Sequence, residues 1–259
     1  MRFWPTATMR RMAGVLAAAL STLFFGAAAP GANPDPACTE QTFEAVRFLV
    51  CPFDPARHEL RLMARDANGH WLRSFARLAK TLGPDGGRLS FAMNAGMYEE
   101  DGTPVGLYIE NGTELRPLNM RDAEGNFYMK PNGVFSLRSD GTARIEETLH
   151  FAIRSDRPLY ATQSGPLLVM DGKLHPAITA DGPSRNIRNG VGLRNGTALF
   201  VMSEDPVSFG KLARFFRDAL KCDNALYLDG TVSSLWVPAQ RIRLRGADIG
   251  PMIVVLDKP

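Results

Sequence analysis

The segment CDNALYLDGTVSSLW, residues 222–236, sets the chemical question. An apolar run, Ala225-Leu226-Tyr227-Leu228, stops at Asp229, and Gly230, Thr231, Val232, Ser233 and Ser234 follow before apolar residues return. An ionised carboxylate between apolar flanks needs a partner or a task, because an isolated buried charge is costly. The plain structural reading is an Asx turn closed on Gly230. The chemical reading is a single acid at the mouth of a strand, with Arg188 as its expected ionic partner.

Four further clusters hold polar side chains beside apolar strands. In FAMNAGMYEEDGTPVG, residues 91–106, a strand ends at Asn94 and presents an amide next to small residues. In GNFYMKPNGVF, residues 125–135, Lys130 and Asn132 flank Pro131. In YATQSGPLLVMDGKLHP, residues 160–176, Gln163 and Ser164 precede Gly165-Pro166. Uncharged polar groups there suit sugar hydroxyls, since Gln both donates and accepts. In PSRNIRNGVGL, residues 183–193, Arg185 and Arg188 lead into a strand, and the arginine fork suits phosphate or carboxylate. Taken singly, each cluster also reads as a turn or a solvated charge.

Other chemistries find no support. His58, His70, His150 and His175 stand far apart, without metal-ligand spacing to each other or to Cys. There is no GxSxG elbow, no P-loop and no GxGxxG after a strand. The residues call for no cofactor and no metal.

The elements that must position these clusters are mostly short strands. Phe43–Pro52 and the alternating HELRLMAR, 58–65, read as opening strands, with the turn DANG, 66–69, after them. Apolar runs then recur between breaks such as ENGTE, MDGK and RNGT, where Asn-Gly and Asp-Gly supply the positive φ of tight hairpins. Helical spacing predicts helices over 71–83 and 209–220. The expected class is α+β: a mixed, mostly antiparallel sheet with many hairpins and a few packed helices.

The chain has 259 residues and 45% hydrophobic content, enough for one sizeable core. Residues 1–29 read as a secretory signal: Arg2, Arg10 and Arg11 precede the uncharged run Met12–Ala29, with cleavage expected near Ala28–Ala32. Residues 30–40 form a Pro- and Gly-containing lead-in, and 41–259 a single domain. Removing the signal takes away three arginines and no acid, so the formal charge falls from +3 to zero. The basic balance therefore belongs to the address segment and does not argue for nucleic acid. Export allows a disulfide among Cys38, Cys51 and Cys222, with the pairing open. The expected location is the periplasm or outside the cell, without a stable membrane anchor after cleavage.

Four segments, in order, resemble the phosphodiester glycosidase family (N-acetylglucosamine-1-phosphodiester α-N-acetylglucosaminidase-like), and within it an exported bacterial branch. Asn94-Ala95-Gly96-Met97-Tyr98 resembles the family's Asn-Gly-Gly-aromatic-aromatic segment, and Gln163-Ser164-Gly165-Pro166 matches Gln-x-Gly-Pro. Arg188-Asn189-Gly190-Val191-Gly192 resembles Arg-Thr-x-x-Gly, and Leu228-Asp229-Gly230-Thr231-Val232-Ser233-Ser234 resembles Leu-Asp-Gly-Gly-Gly-Ser-Ser. The chain departs from the pattern at Ala95, Met97, Asn189 and Thr231-Val232. The resemblance implies hydrolysis of the glycosidic C–O bond of a sugar-1-phosphodiester in envelope or exopolysaccharide material. Asp229, Arg188 and Asn94 are then the expected catalytic set, with Arg188, Arg185 and Lys130 on the phosphate. Gln163, Ser164, Asn132, Ser233 and Ser234 complete the expected substrate-binding set. The alternative is a carbohydrate-binding or polysaccharide-assembly protein without catalysis on the same scaffold.

Overall fold

A computed structural model describes residues 1–4, 36–244 and 248–259. The expected signal segment and its cleavage point lie almost entirely outside the described residues. The chain divides into a unit ending at Asp35 and a second unit, Pro36–Pro259. Among the described residues, no helix is long and apolar enough to cross a membrane.

Hairpins dominate the second unit, and every strand pairing described is antiparallel. The strands form one seven-stranded and two five-stranded sheets. The α+β class is as expected. The middle of the large sheet runs Val46–Phe53, Thr197–Ser203, Asn189–Arg194, Asn224–Tyr227, Leu167–Met170. The second sheet centres on Leu89–Asn94, flanked by Leu235–Val237 and Met252–Asp257. The third places Tyr160–Ser164 between Tyr108–Glu110 and Gly133–Leu137.

Continuous apolar runs arise here because central strands are covered on both faces. Along Thr197–Ser203, Ala198, Phe200 and Met202 face the core between sheets, while Leu199 and Val201 face an outer layer. The shared core meets at three rings, one from each sheet: Phe91 and Phe135 both pack on Phe200, with centroids 5.7 and 5.6 Å away. The outer layer is a helix, Phe209–Arg214, that widens into a π turn over Phe215–Ala219. Phe215 stacks on Phe48 at 3.9 Å, and Phe216 lies over Gly190 and Gly192. A Cβ at Gly192 would stand 2.6 Å from the Phe216 ring, so the helix docks only on a bare strand.

Three local expectations change. The single strand Phe43–Pro52 is a hairpin, Thr39–Phe43 with Val46–Phe53, because Glu44 and Ala45 both adopt positive φ. Two such residues make a primed two-residue turn without the usual Gly or Asn signal. The opening strands Val46–Phe53 and His58–Met63 enter different sheets. The first helix is shorter, Phe75–Leu82, because Ser74 caps it by accepting the Arg77 amide. The hairpin register sets Thr39 opposite Val50 and so brings Cys38 to Cys51, which form a disulfide. Cys222 is a free, buried thiol, pushed up to about 12 chiefly by burial.

Candidate active site

Two strand ends from different sheets meet beneath the Asp229 loop. Asn94 closes Leu89–Asn94 and Asn189 opens Asn189–Arg194. The Asn189 amide donates to Asn94 Oδ1 at 2.9 Å, so the two side chains form one frame. Asn94 Nδ2 donates to the Asp229 carbonyl at 2.9 Å, and its Oδ1 accepts the Ser234 amide at 2.8 Å. Asn189 Oδ1 accepts the Asp229 amide at 3.1 Å. The frame thus grips both ends of the loop that joins the large sheet to the second sheet. Buried backbone groups demand such partners, and Asn supplies a donor and an acceptor from one short side chain.

Below the loop stands Tyr227, whose hydroxyl accepts the Gly230 amide at 2.6 Å and Arg188 Nη1 at 3.1 Å. A Cβ on Gly230 would lie 2.0 Å from that hydroxyl, so position 230 admits no side chain while Tyr227 is in place. The small residue after the acid therefore makes room for the protein's own tyrosine. Arg188 is fully buried. It donates to the carbonyls of Val207 and Ser184, and its guanidinium lies 3.7 Å from the centre of the Phe209 ring. Burial lowers the Arg188 pKa from its ordinary value, partly offset by Tyr227. No ion pair joins Arg188 to Asp229 among the described residues. The expected pairing is replaced by a relay through the Tyr227 hydroxyl to the backbone of Gly230. Arg188 positions the loop and faces no open space.

Asp229 remains 9% exposed. Its Oδ1 accepts the Thr231 amide at 3.1 Å, and Oδ2 has no hydrogen-bond partner among the described residues. Desolvation pushes its pKa up to about 6, opposed only by the Thr231 amide. The side chain opens into a cavity of about 580 Å³. One wall carries Met97, Tyr98, Glu99 and Glu100, and the other Glu124 to Tyr128.

Arg73 is the one basic residue on this wall among the described residues. It sits at φ 54°, and the Ser74 amide donates across it to the Leu72 carbonyl at 2.6 Å. That is a classic γ-turn, a strained arrangement for a residue with a side chain. Arg73 Nη1 donates to the Glu100 carbonyl at 2.9 Å, and Nη2 lies 3.6 Å from Asp248. The Tyr98 hydroxyl donates to the Asp248 carbonyl, and its ring lies 5.7 Å from the Arg73 guanidinium. Burial and then the Asp229 charge push Tyr98 up to about 12, so it stays protonated.

Of the ten residues expected to act, Asp229 alone lines the cavity. Gln163 is buried and uses both amide atoms on the Leu107 and Asn119 amides, the Asn119 carbonyl and the Thr148 hydroxyl. Ser164 donates to the Leu228 carbonyl at 2.6 Å, so it braces the strand leading to Asp229. Asn132 donates to the Phe127 carbonyl at 2.8 Å and so supports the cavity wall from behind. Ser233 and Ser234 donate to the carbonyls of Ile187 and Val232. Lys130 pairs with Asp122 at 2.5 Å and Arg185 with Asp181 at 2.7 Å, both on exposed surface. Seven of these nine side chains brace the site from behind, Lys130 and Arg185 stand on the surface, and none of the nine lines the cavity. Sequence reasoning missed Arg73, which lay within an expected helix. Tyr98, Phe127 and Tyr128 lay inside the quoted clusters and carried an aromatic signal.

Comparisons with known proteins agree with this architecture. The catalytic domain of a zebrafish N-acetylglucosamine-1-phosphodiester α-N-acetylglucosaminidase, solved auto-inhibited by its pro-peptide, superposes with a TM-score of 0.58. That match has 15% identity and covers 85% of this chain and 82% of the other. A hypothetical protein from Synechocystis matches with a TM-score of 0.51 and 15% identity, over 85% of this chain and 61% of its own. Both likenesses concern the fold. In sequence, the uncharacterized protein YigE of Escherichia coli (strain K12) is 35% identical over 227 residues, 86% of this chain and 84% of that one. The family model for phosphodiester glycosidase matches residues 87–255, which include both asparagines of the frame and the whole Asp229 loop. On that match the chain belongs to the phosphodiester glycosidase family, a family of hydrolases.

Proposed function

We propose that this chain is an exported hydrolase that cleaves the glycosidic C–O bond of a sugar-1-phosphodiester in envelope or exopolysaccharide material. The observation that carries the reading is one nine-tenths-buried carboxylate, Asp229, opening with a free oxygen into a cavity where Arg73 is the one guanidinium among the described residues. Most glycosidases need two carboxylates, because a sugar alkoxide leaves only if it is protonated. A phosphomonoester is a far better leaving group, since its second proton is held with a pKa of about 6. One carboxylate and one cation then suffice.

In this scheme ionised Asp229 takes a proton from water as the water oxygen bonds to the sugar C1. The C1–O electron pair departs to the phosphate oxygen and leaves a phosphomonoester dianion. Attack by Asp229 itself, followed by hydrolysis of the glycosyl ester, gives the same products. Arg73 meets the charge that grows on the leaving oxygen, the role first expected of Arg188. Fixed donors of this kind contribute about 100–1000-fold to rate.

The test is turnover of sugar-1-phosphodiesters in oxygen-18 water by the purified chain. Label in the sugar supports C–O cleavage, and label in the phosphate rejects it in favour of P–O cleavage. Glycan affinity without turnover would favour the binding-protein alternative. Arg73→Gln is expected to lower kcat/KM about 100-fold while leaving the melting temperature within a few degrees. Unchanged kinetics would remove Arg73 from the phosphate site.

A further inference from the structure

The charge on the cavity walls is opposite to what a polyanionic substrate needs. Among the described residues, Glu99, Glu100 and Glu124 line the cavity with Asp229, against Arg73 alone. All three glutamates are exposed. None of their carboxylates has an ion-pair or hydrogen-bond partner among the described residues. Of the nearby cations, Lys130 pairs with Asp122, while Arg121 stands outside the lining and donates to the Tyr128 hydroxyl and Asn119 Oδ1. Arg73 can neutralise one phosphodiester charge, and it is itself held beside Asp248. Among the charged groups described on the lining, a second anion on the substrate would face carboxylates.

Aromatic faces accompany these acids. Tyr98 stands on the wall with Glu99 and Glu100. Phe127 and Tyr128 follow Glu124 on the other, edge to face with centroids 5.0 Å apart. Aromatic rings and carboxylates together attract an ammonium group, by the ring quadrupole and by simple charge. The unpartnered Oδ2 of nine-tenths-buried Asp229 opens into the same space, which marks it as a ligand cavity independently of the acidic rim.

We propose that the natural substrate is zwitterionic: a sugar-1-phosphodiester carrying a cationic ammonium group, on the esterifying alcohol or on the sugar. The phosphate meets Arg73 and the ammonium meets the acidic, aromatic walls. The inference rests on the proposed hydrolysis for its place in the reaction, but it concerns binding and is tested separately.

The experiment uses matched probes on the full mature chain. Glucose-1-phosphate esterified with choline is compared with its neutral isostere, the 3,3-dimethylbutyl ester, and with a carboxypropyl ester. Glucosamine-1-phosphate methyl ester against the N-acetyl analogue tests a charge on the sugar. Dissociation constants are read by calorimetry and kcat/KM by phosphate-ester release. We expect an ammonium probe to be favoured about tenfold over its neutral partner and the carboxylate probe to be the weakest. The advantage should fall below about threefold in the Glu99→Gln/Glu100→Gln/Glu124→Gln variant, whose exposed substitutions leave the fold intact by thermal melting. Whichever ammonium probe is favoured locates the charge on alcohol or sugar. A preference in affinity without turnover of any probe would support the zwitterion site and sink the hydrolase reading. Equal affinity and equal kcat/KM across charged and neutral probes would overturn this inference and leave hydrolysis standing.

Discussion

Replacing the acid by its amide, Asp229→Asn, should stabilise the protein as it removes activity. Burial raises the folded pKa of Asp229 from 3.8 to about 6, so the fold disfavours the ionised form. The sign follows from linkage: below about pH 3.8 both folded and unfolded chains hold the proton and there is no penalty. As pH rises from there to about 6, the unfolded chain ionises first and wild type loses stability. Above that window the loss is complete at about 3 kcal/mol, at 1.36 kcal/mol per pKa unit. At pH 5 about half of the loss is present, and at pH 3 almost none. Asparagine keeps an oxygen for the Thr231 amide and turns its own amide to the open cavity, so it escapes the charge penalty. Urea unfolding of both proteins from pH 3 to pH 8 measures the difference. Carboxylates held low by ion pairs, such as Glu59 and Asp156, weaken both proteins equally in acid and cancel. A gain that grows from near zero to about 3 kcal/mol across the window is the expected result. A variant less stable than wild type at pH 8, or a difference independent of pH, refutes a desolvated Asp229.

The same group predicts an acidic limb in kcat/KM with an apparent pKa near 6, activity rising with pH because the ionised form is the reactive one; a flat profile from pH 4.5 to 7.5 would contradict it. Gly230→Ala should abolish activity, since its Cβ would fall 2.0 Å from the Tyr227 hydroxyl. Adding Tyr227→Phe should recover part of it, and a double variant no better than the single one would deny that clash. Replacing Cys38 and Cys51 by Ser should cost about 3 kcal/mol in urea unfolding, from a loop of 13-residue separation. The variant should leave kcat/KM unchanged, because the bond closes the terminal hairpin.

Much of the construction was legible in residue order. Alternating and continuous apolar runs, cut by Asn-Gly and Asp-Gly, announced an antiparallel, hairpin-rich α+β domain. Asp229 stood out because a carboxylate directly after the apolar run Ala225–Leu228 needs a partner or a task beyond a turn. The four motifs around it marked which loops converge. Glu44-Ala45 escaped notice because neither residue is a usual carrier of positive φ, and tertiary pairing enforces the turn.

Residue type alone reveals hydrogen-bonding capacity, and the tertiary structure decides where that capacity is used. Asn94, Asn132, Gln163 and Ser233 have the chemistry of sugar-binding groups. They satisfy buried backbone instead, because loops crossing between three sheets strand amides and carbonyls away from water. Arg188 has the fork of a phosphate clamp, but the chain just before the strand Asn189–Arg194 turns it inward onto Phe209 and Tyr227. Arg73 looks like the surface of a helix, yet one γ-turn withdraws it from that helix and delivers it to the cavity. Asp229 could be picked out from the chain itself. Its cationic counterpart emerged only when a tertiary turn carried Arg73 to the cavity that the Asp229 loop opens into.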